Sequence, residues 1–253
     1  ISLDWATLAD PQSAAHRILF ELRIPRSVFV FFAGASLAVV GGVYQILFNN
    51  PLAEPYLLGV SSAATLGMAC AEIFFGIAAT SMFSQSVGLL CAGLMTLLVL
   101  AASLSGRAEM TERIALFGVG ANFVLSSILF LVLSYHSQQV GGGALRWLFG
   151  QIPWLPSADV ARFGLGTVVL LSAIILPSRS LDAVTFGEGV ARSLGFSPKQ
   201  IRLYFLAMTS ILVAWIASFT GSIGFLGLVV PHCVKLVYRP SESRILLLLC
   251  VPI

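Results

Sequence analysis

Residues 27–48 run for 22 positions without a charged side chain, and few folds accept such a stretch. About 20 mostly apolar residues let an α-helix cross the hydrocarbon core of a bilayer. The run has company. Residues 56–77, 87–104, 114–135, 160–176 and 201–220 read as further spans, interrupted by Glu72 near the end of the first and by arginines at the mouths of the last two. Residues 225–237 are short for a crossing and contain Pro231, which predicts a bent or shallow helix. An eighth apolar run begins at residue 245. Composition agrees: 58% of residues are hydrophobic and 10% charged, with mean hydropathy +0.96. A soluble domain carries roughly 25% charged residues. This chain lacks the polar surface to cover itself in water, which excludes soluble enzymes, nucleic-acid binders and disordered proteins. The expected fold is an all-α integral membrane protein, a polytopic helical bundle of about seven to eight spans.

Charge placement gives an orientation. With residues 1–26 outside, alternation puts the loops around 49–55, 105–113, 178–200 and 235–244 inside. Those loops hold Arg107, Arg113, Arg179, Arg192, Lys199, Arg202, Lys235, Arg239 and Arg244, nine of the 14 basic residues, as the positive-inside bias requires. A net charge of +3 without a basic cluster gives nucleic acid nothing to bind. The four cysteines, at 70, 91, 233 and 250, are far apart in apolar sequence and read as small hydrophobes. The chain opens on Ile1, and the last apolar run stops at residue 253, so a longer parent protein is expected.

Small residues recur at helical spacing. Gly34, Ala38 and Gly42 form one stripe, expected to admit a close neighbouring backbone, because lipid supplies no hydrophobic drive for helix association. Gly118, Asn122 and Ser126 form another, open to two readings: a packing seam with an interhelical hydrogen bond, or the polar lining of a path. Between the first two spans, Asn50, Pro51, Glu54 and Pro55 forbid continuous helix. That segment is either a hinge or a re-entrant element of the kind that lines cavities in membrane proteins. Residues 221–232, with Gly221, Gly224 and Pro231, repeat its plan and hint at an internal repeat.

The segment 178–200 is the most informative polar stretch. Thr185 and Glu188 fit a capping box, opening a short helix that runs to Leu194 and stops at Gly195. Val190 and Leu194 would share a face, and Glu188 and Arg192 would pair. Ser197 and Pro198 would then start the next span with a second box. A short capped helix at a membrane surface is suited to docking in a groove of a soluble partner. Chemistry of other kinds is missing from the sequence. Neither Lys199 nor Lys235 follows glycine, so there is no phosphate loop, and His16, His136 and His232 are isolated. No catalytic residue and no metal ligand is assigned, and energy for transport must come from elsewhere.

At this point the residues resemble a family. Leu22-Arg23-Ile24-Pro25-Arg26, then the Gly/Ala-rich span, then the run from Asn50 to Ser61, is similar to the permease subunit of binding-protein-dependent ABC importers for iron–siderophores, haem and vitamin B12. Gly187-Glu188, Ala191-Arg192, Leu194-Gly195 and the stretch 221–232 match two further signatures in the expected order. The resemblance implies a ten-helix subunit, of which this chain lacks the first helix and about the last two, with 1–253 as one transmembrane permease domain and 178–200 as its cytoplasmic coupling segment. It implies multi-pass insertion in the bacterial cytoplasmic membrane. The implied partners are a second permease copy, two cytoplasmic ATP-binding subunits and an extracytoplasmic substrate-binding protein. ATP and Mg belong to the ATPases, and no cofactor is expected on this chain.

Roles carry over by position. Arg23 and Arg26 stand where the family receives acidic residues of the binding protein; Glu188, Ala191, Arg192, Leu194 and Gly195 match the part that docks on the ATPase. Met110, Thr111 and Glu112 align with the inner end of the pathway helix and its cytoplasmic gate, and Gly118, Asn122 and Ser126 would line the passage. The expected cargo is an iron–siderophore, with haem, cobalamin and oxyanions as alternatives. The competing classes are an ion-coupled secondary transporter, which also uses broken helices, and an intramembrane enzyme.

Overall fold

The computed structural model describes residues 13–77, 81–104, 110–136, 150–185 and 187–252, and among them the regular structure is helical throughout. A turn at Ala14–His16 and a π-helical stretch at Arg17–Arg23 lead into α1, Ile24–Leu47. A 3₁₀ turn at Pro55–Leu58 precedes α2, Val60–Phe75. Then come α3, Met82–Leu104; α4, Met110–Tyr135; and α5, Ser157–Ile175. Two short helices follow, α6 at Arg179–Thr185 and α7 at Glu188–Ser193. The chain continues through α8, Pro198–Thr220; α9, Leu226–Tyr238; and α10, Ser243–Cys250. The protein is an all-α polytopic membrane protein. Among the described residues, five helices are long and apolar enough to cross a bilayer, and α2 and α9 are shorter apolar helices.

The expected spans hold except where glycine and proline consume them. The second was expected over 56–77. Its first residues form the 3₁₀ turn, which Gly59 closes in the left-handed region at φ 68°, and Gly76 ends the helix at φ 65°. The 16 residues left reach about 24 Å, short of the hydrocarbon thickness. The seventh is 13 residues with Pro231 inside it. The eighth is helical for only eight residues.

An aromatic cluster fixes α1, α5 and α8 together. Phe163 meets Phe29 at 4.5 Å and Phe219 at 5.0 Å between centroids, and stacks within 7° on Trp215. Such pairs add about 0.5–1.5 kcal/mol beyond area burial. The close approach on α1 falls one position away from the expected stripe. A Cβ on Gly34 would meet nothing within 4 Å, whereas one on Gly41 would collide with the Gly227 backbone of α9, and one on Gly42 would lie 2.9 Å from Leu247 of α10. Gly227 also faces the Pro55 ring and the Leu37 carbonyl. The two proline-bearing segments therefore meet instead of repeating one plan. Asn50 and Pro51 lie in a turn, where Asn50 Oδ1 accepts the Leu52 N–H at 2.9 Å, while Pro231 is inside a helix.

The capping box at 185–188 is not formed. Thr185 ends α6 and donates its hydroxyl to the Asp182 carbonyl at 2.7 Å, while the N-cap of α7 is Gly187 at φ 97° and ψ 157°. Glycine takes that extended left-hand geometry where threonine would be strained. The helix α6, which the sequence reading treated as loop, is anchored by fully buried Leu181. Ser197 is the N-cap of α8 with Pro198 at its first position, and its side chain makes no capping bond. The stop at Gly195 is a Schellman motif. Phe196 N–H donates to the Ala191 carbonyl at 2.9 Å and Gly195 N–H to Arg192 at 3.0 Å, with Gly195 at φ 81°.

The contrast along α1 is testable by thermal unfolding of the full-length protein in detergent. Gly41→Ala must push α9 away and should cost about 1–3 kcal/mol, as overpacking does. Gly34→Ala meets open space and should be neutral or stabilising by up to about 1 kcal/mol through helix propensity.

Candidate transport cavity and coupling segment

Two backbone breaks build a polar pocket inside an apolar bundle. The first, after α1, turns through Asn49 at φ 44° and Asn50 before the 3₁₀ turn presents Glu54 and Tyr56. The second follows α8, where Gly221 at φ 69° and Phe225 at φ 69° carry the chain through 221–225 into α9. Between them lies a cavity of about 490 Å³ lined by Glu54, Tyr56, Ser62, Asn122, Ser126 and residues 222–225, with Leu129.

Its wall is a hydrogen-bonded seam across three elements. Ser62, in the first turn of α2, donates to Asn122 Oδ1 on α4 at 2.5 Å and lies 3.1 Å from the Ser126 hydroxyl. The Ser61 hydroxyl is 3.0 Å from that of Ser222. These groups satisfy one another, as polar side chains in an apolar surround must. The pocket therefore offers serine hydroxyls and an amide oxygen that are already partnered, the Asn122 amide nitrogen, one carboxylate at Glu54, and aromatic and aliphatic surface. Its volume is in the range of small-molecule sites.

The sequence-predicted residues distribute as follows. Asn122 and Ser126 line the cavity, whereas Gly118 is a contact point: a Cβ there would lie 2.5 Å from the Leu57 carbonyl and 2.9 Å from Leu58 Cα. Gly118 is thus a packing contact, while Asn122 and Ser126 both hydrogen-bond to α2 and line this cavity. Glu54 and Gly224 are on the cavity wall; Pro55 packs on Gly227, and Pro231 is buried in α9. Asn50, Pro51 and Gly221 shape the breaks without reaching the cavity. Met110, Thr111 and Glu112 open α4, and their side chains lie outside the described residues. Tyr56, Ser61, Ser62 and Ser222 were not singled out from sequence. The signal that could have found them is two adjacent serines at the start of an apolar span.

At another place α6 and α7 form a separate surface. Ala191 is fully buried, while Val190, Leu194 and Phe196 are 45%, 60% and 44% exposed. Three exposed apolar side chains beside a rigid Schellman stop make a small apolar foothold. Glu188 begins α7, with its side chain outside the described residues, and Arg192 is exposed. Arg179 Nε lies 3.7 Å from Glu242, which puts the 178–200 and 235–244 segments at one end of the bundle. Arg23 and Arg26 are exposed where the π-helical stretch passes into α1. Among the described residues no group of His, Cys, Asp or Glu could hold a metal ion.

The profile of the FecCD transport family matches residues 2–252. The chain is 33% identical over 237 residues to the uncharacterised ABC transporter permease protein YvrB of Bacillus subtilis, covering 90% of this chain and 65% of that one. It is 34% identical over 236 residues to the vitamin B12 import system permease protein BtuC of Vibrio cholerae, covering 93% and 70%. It is 32% identical over 234 residues to the cobalamin import system permease protein BtuC of Halobacterium salinarum, covering 92% and 62%. The chain thus spans about two thirds of the length of these curated relatives. A solved structure titled as an inward-facing conformation of a metal-chelate type ABC transporter shares the fold, with TM-score 0.86 at 24% identity, over 100% of this chain and 78% of that one.

The serine–asparagine seam makes a specific energetic prediction. Ser62→Ala should cost about 1 kcal/mol of unfolding free energy, the usual net value of a hydrogen bond. Because Ser62 and Ser126 share one bond, the double variant with Ser126→Ala should cost less than the sum of the singles. Chemical denaturation of the four proteins measures both.

Proposed function

Since the chain belongs to the FecCD transport family, we propose that it is the membrane-spanning permease part of an ABC importer and forms the passage for a metal chelate. The observation that carries this reading is the polar cavity between the two backbone breaks, its serine hydroxyls and the Asn122 amide oxygen partnered among themselves. A passage needs walls that tolerate a polar solute and release it. Recognition then rests with a separate substrate-binding protein, and drive with separate ATPases.

The mechanism is alternating access. Two copies of the permease pair in the cytoplasmic membrane. ATP closes the partner ATPases, and the apolar foothold of Val190, Leu194 and Phe196 receives their movement. A ligand with equal affinity for both conformations shifts nothing, so the bias comes from nucleotide. Arg23 and Arg26 present positive charge to acidic residues of the binding protein, where opposite charges steer and orient docking. The sequence points to an iron–siderophore, and two of the three relatives named above are for vitamin B12 and cobalamin. Both are bulky metal chelates, and that class is the cargo proposed here.

The test is uptake into proteoliposomes holding the full-length permease with its ATPase and liganded binding protein, using cyanocobalamin and a ferric siderophore as probes. ATP-dependent uptake of either is the expected result; uptake without the ATPase, driven by an ion gradient, overturns the proposal. Leu194→Asp places a charge on the foothold and should abolish uptake while the ATPase still turns over. Reversing Arg23 and Arg26 to glutamate should weaken binding-protein docking and flatten its salt dependence, measured by titration at two ionic strengths.

A further inference from the structure

The coupling end of the molecule is not a free appendage. Asp182, in the middle of α6, reaches out of its own helix to the start of α10. One carboxylate oxygen, Oδ1, accepts the Ser243 N–H at 2.8 Å and also the Ser243 hydroxyl. Ser243 is the first residue of α10, so its N–H has no partner within that helix, and Ser243 is buried. The Arg179–Glu242 pair flanks the contact at 3.7 Å. Ser243 is buried and Asp182 half-buried, so water competes less for this contact than for an exposed pair.

From Ser243 onward the contacts are unbroken. On α10, Leu247 is fully buried against Gly42 of α1. The next position, Gly41, touches Gly227 of α9, and Gln45 of α1 donates from Nε2 to the Leu228 carbonyl at 3.1 Å. Two residues before Leu226 begins α9, Gly224 is on the cavity wall, as is Phe225.

We infer that Asp182 is the positioning residue through which displacement of α6 is passed into α10, and so by packed contacts to the 222–225 wall of the cavity. The inference rests on the proposed coupling role of 178–200. The contact needs an acceptor at Oδ1 and not a net charge, which separates it from a surface ion pair. With this tether α6 and the head of α10 move as one body; without it α6 can rock under the ATPase while α10 stays behind.

The experiment measures uptake per ATP hydrolysed in the reconstituted full-length complex, with cyanocobalamin and a ferric siderophore as probes. Asp182→Ala should still turn over ATP, with uptake per ATP lowered about two- to thirty-fold, the range of coupling energies carried by such contacts. Asp182→Asn, which keeps the acceptor, should restore the ratio to near wild type. A wild-type ratio in Asp182→Ala, or an Asn variant as defective as Ala, overturns the inference. Should Asp182→Ala fail to assemble, a disulfide between Asp182→Cys and Ser243→Cys decides, in an otherwise cysteine-free background. Oxidation should restore uptake per ATP toward wild type, because the disulfide replaces the tether, and reduction should lower it again; loss on oxidation, or a ratio that reduction leaves unchanged, refutes it. Leu194→Asp is the control for the premise. If it uncouples while Asp182→Ala does not, the tether is wrong; if it leaves uptake intact, the coupling reading itself fails.

Discussion

A backbone that leaves the helix inside a bilayer must find its hydrogen-bond partners within the protein, because lipid has none to give. This chain breaks twice, after α1 and after α8, and meets the constraint by folding one break onto the other. Gln45 is central to that solution. Its amide nitrogen donates to the Leu228 carbonyl, in the turn of α9 that precedes Pro231. Its amide oxygen accepts from Lys235 Nζ at 3.0 Å, so one buried glutamine binds both halves of the proline-interrupted helix α9. Glycine at 41 and 227 lets the backbones come close enough for this to happen.

The polar cavity follows from the same geometry. Where two breaks meet, hydroxyl and amide groups collect that no continuous helix would place together, and in apolar surroundings they must partner one another. Ser61 with Ser222 joins the first break to the second, and Ser62 with Asn122 and Ser126 joins the first to α4. The site is therefore a by-product of the packing solution, and this accounts for its character. It has shape and polarity, and its serine hydroxyls are engaged with one another and with the Asn122 amide oxygen.

Much of this was legible in the sequence, and the reasons for the rest are specific. Helix number and type follow from uncharged length, since a run such as 27–48 has one use. The two breaks were legible from paired prolines and glycines. The register of close contact was not: Gly34, Ala38 and Gly42 form the better small-residue stripe, yet the crossing point is Gly41, because the partner is Gly227 and its position depends on where α9 starts. The capping box failed for a related reason. Thr185 satisfies its hydroxyl equally well on the carbonyl three residues back, and Gly187 offers a backbone shape that no local pattern ranks against a box. Ser61, Ser62 and Asp182 gain meaning only from partners 60 or more residues away.

The interior on either side of these breaks differs in what it can do. The Phe29, Phe163, Trp215 and Phe219 cluster locks α1, α5 and α8 by large interdigitated rings, and close-packed surfaces of this kind transmit displacement and do not absorb it. The helix α9 is the opposite case. It is short, has lost a bond at Pro231, begins at a non-glycine residue with positive φ, and is tied to α1 through side chains. A conformational change distributed over this fold concentrates where regular bonding is already interrupted, since repositioning there sacrifices the fewest backbone hydrogen bonds. That places the deformable element directly after the 222–225 wall of the cavity, on a different part of the bundle from the locked aromatic cluster.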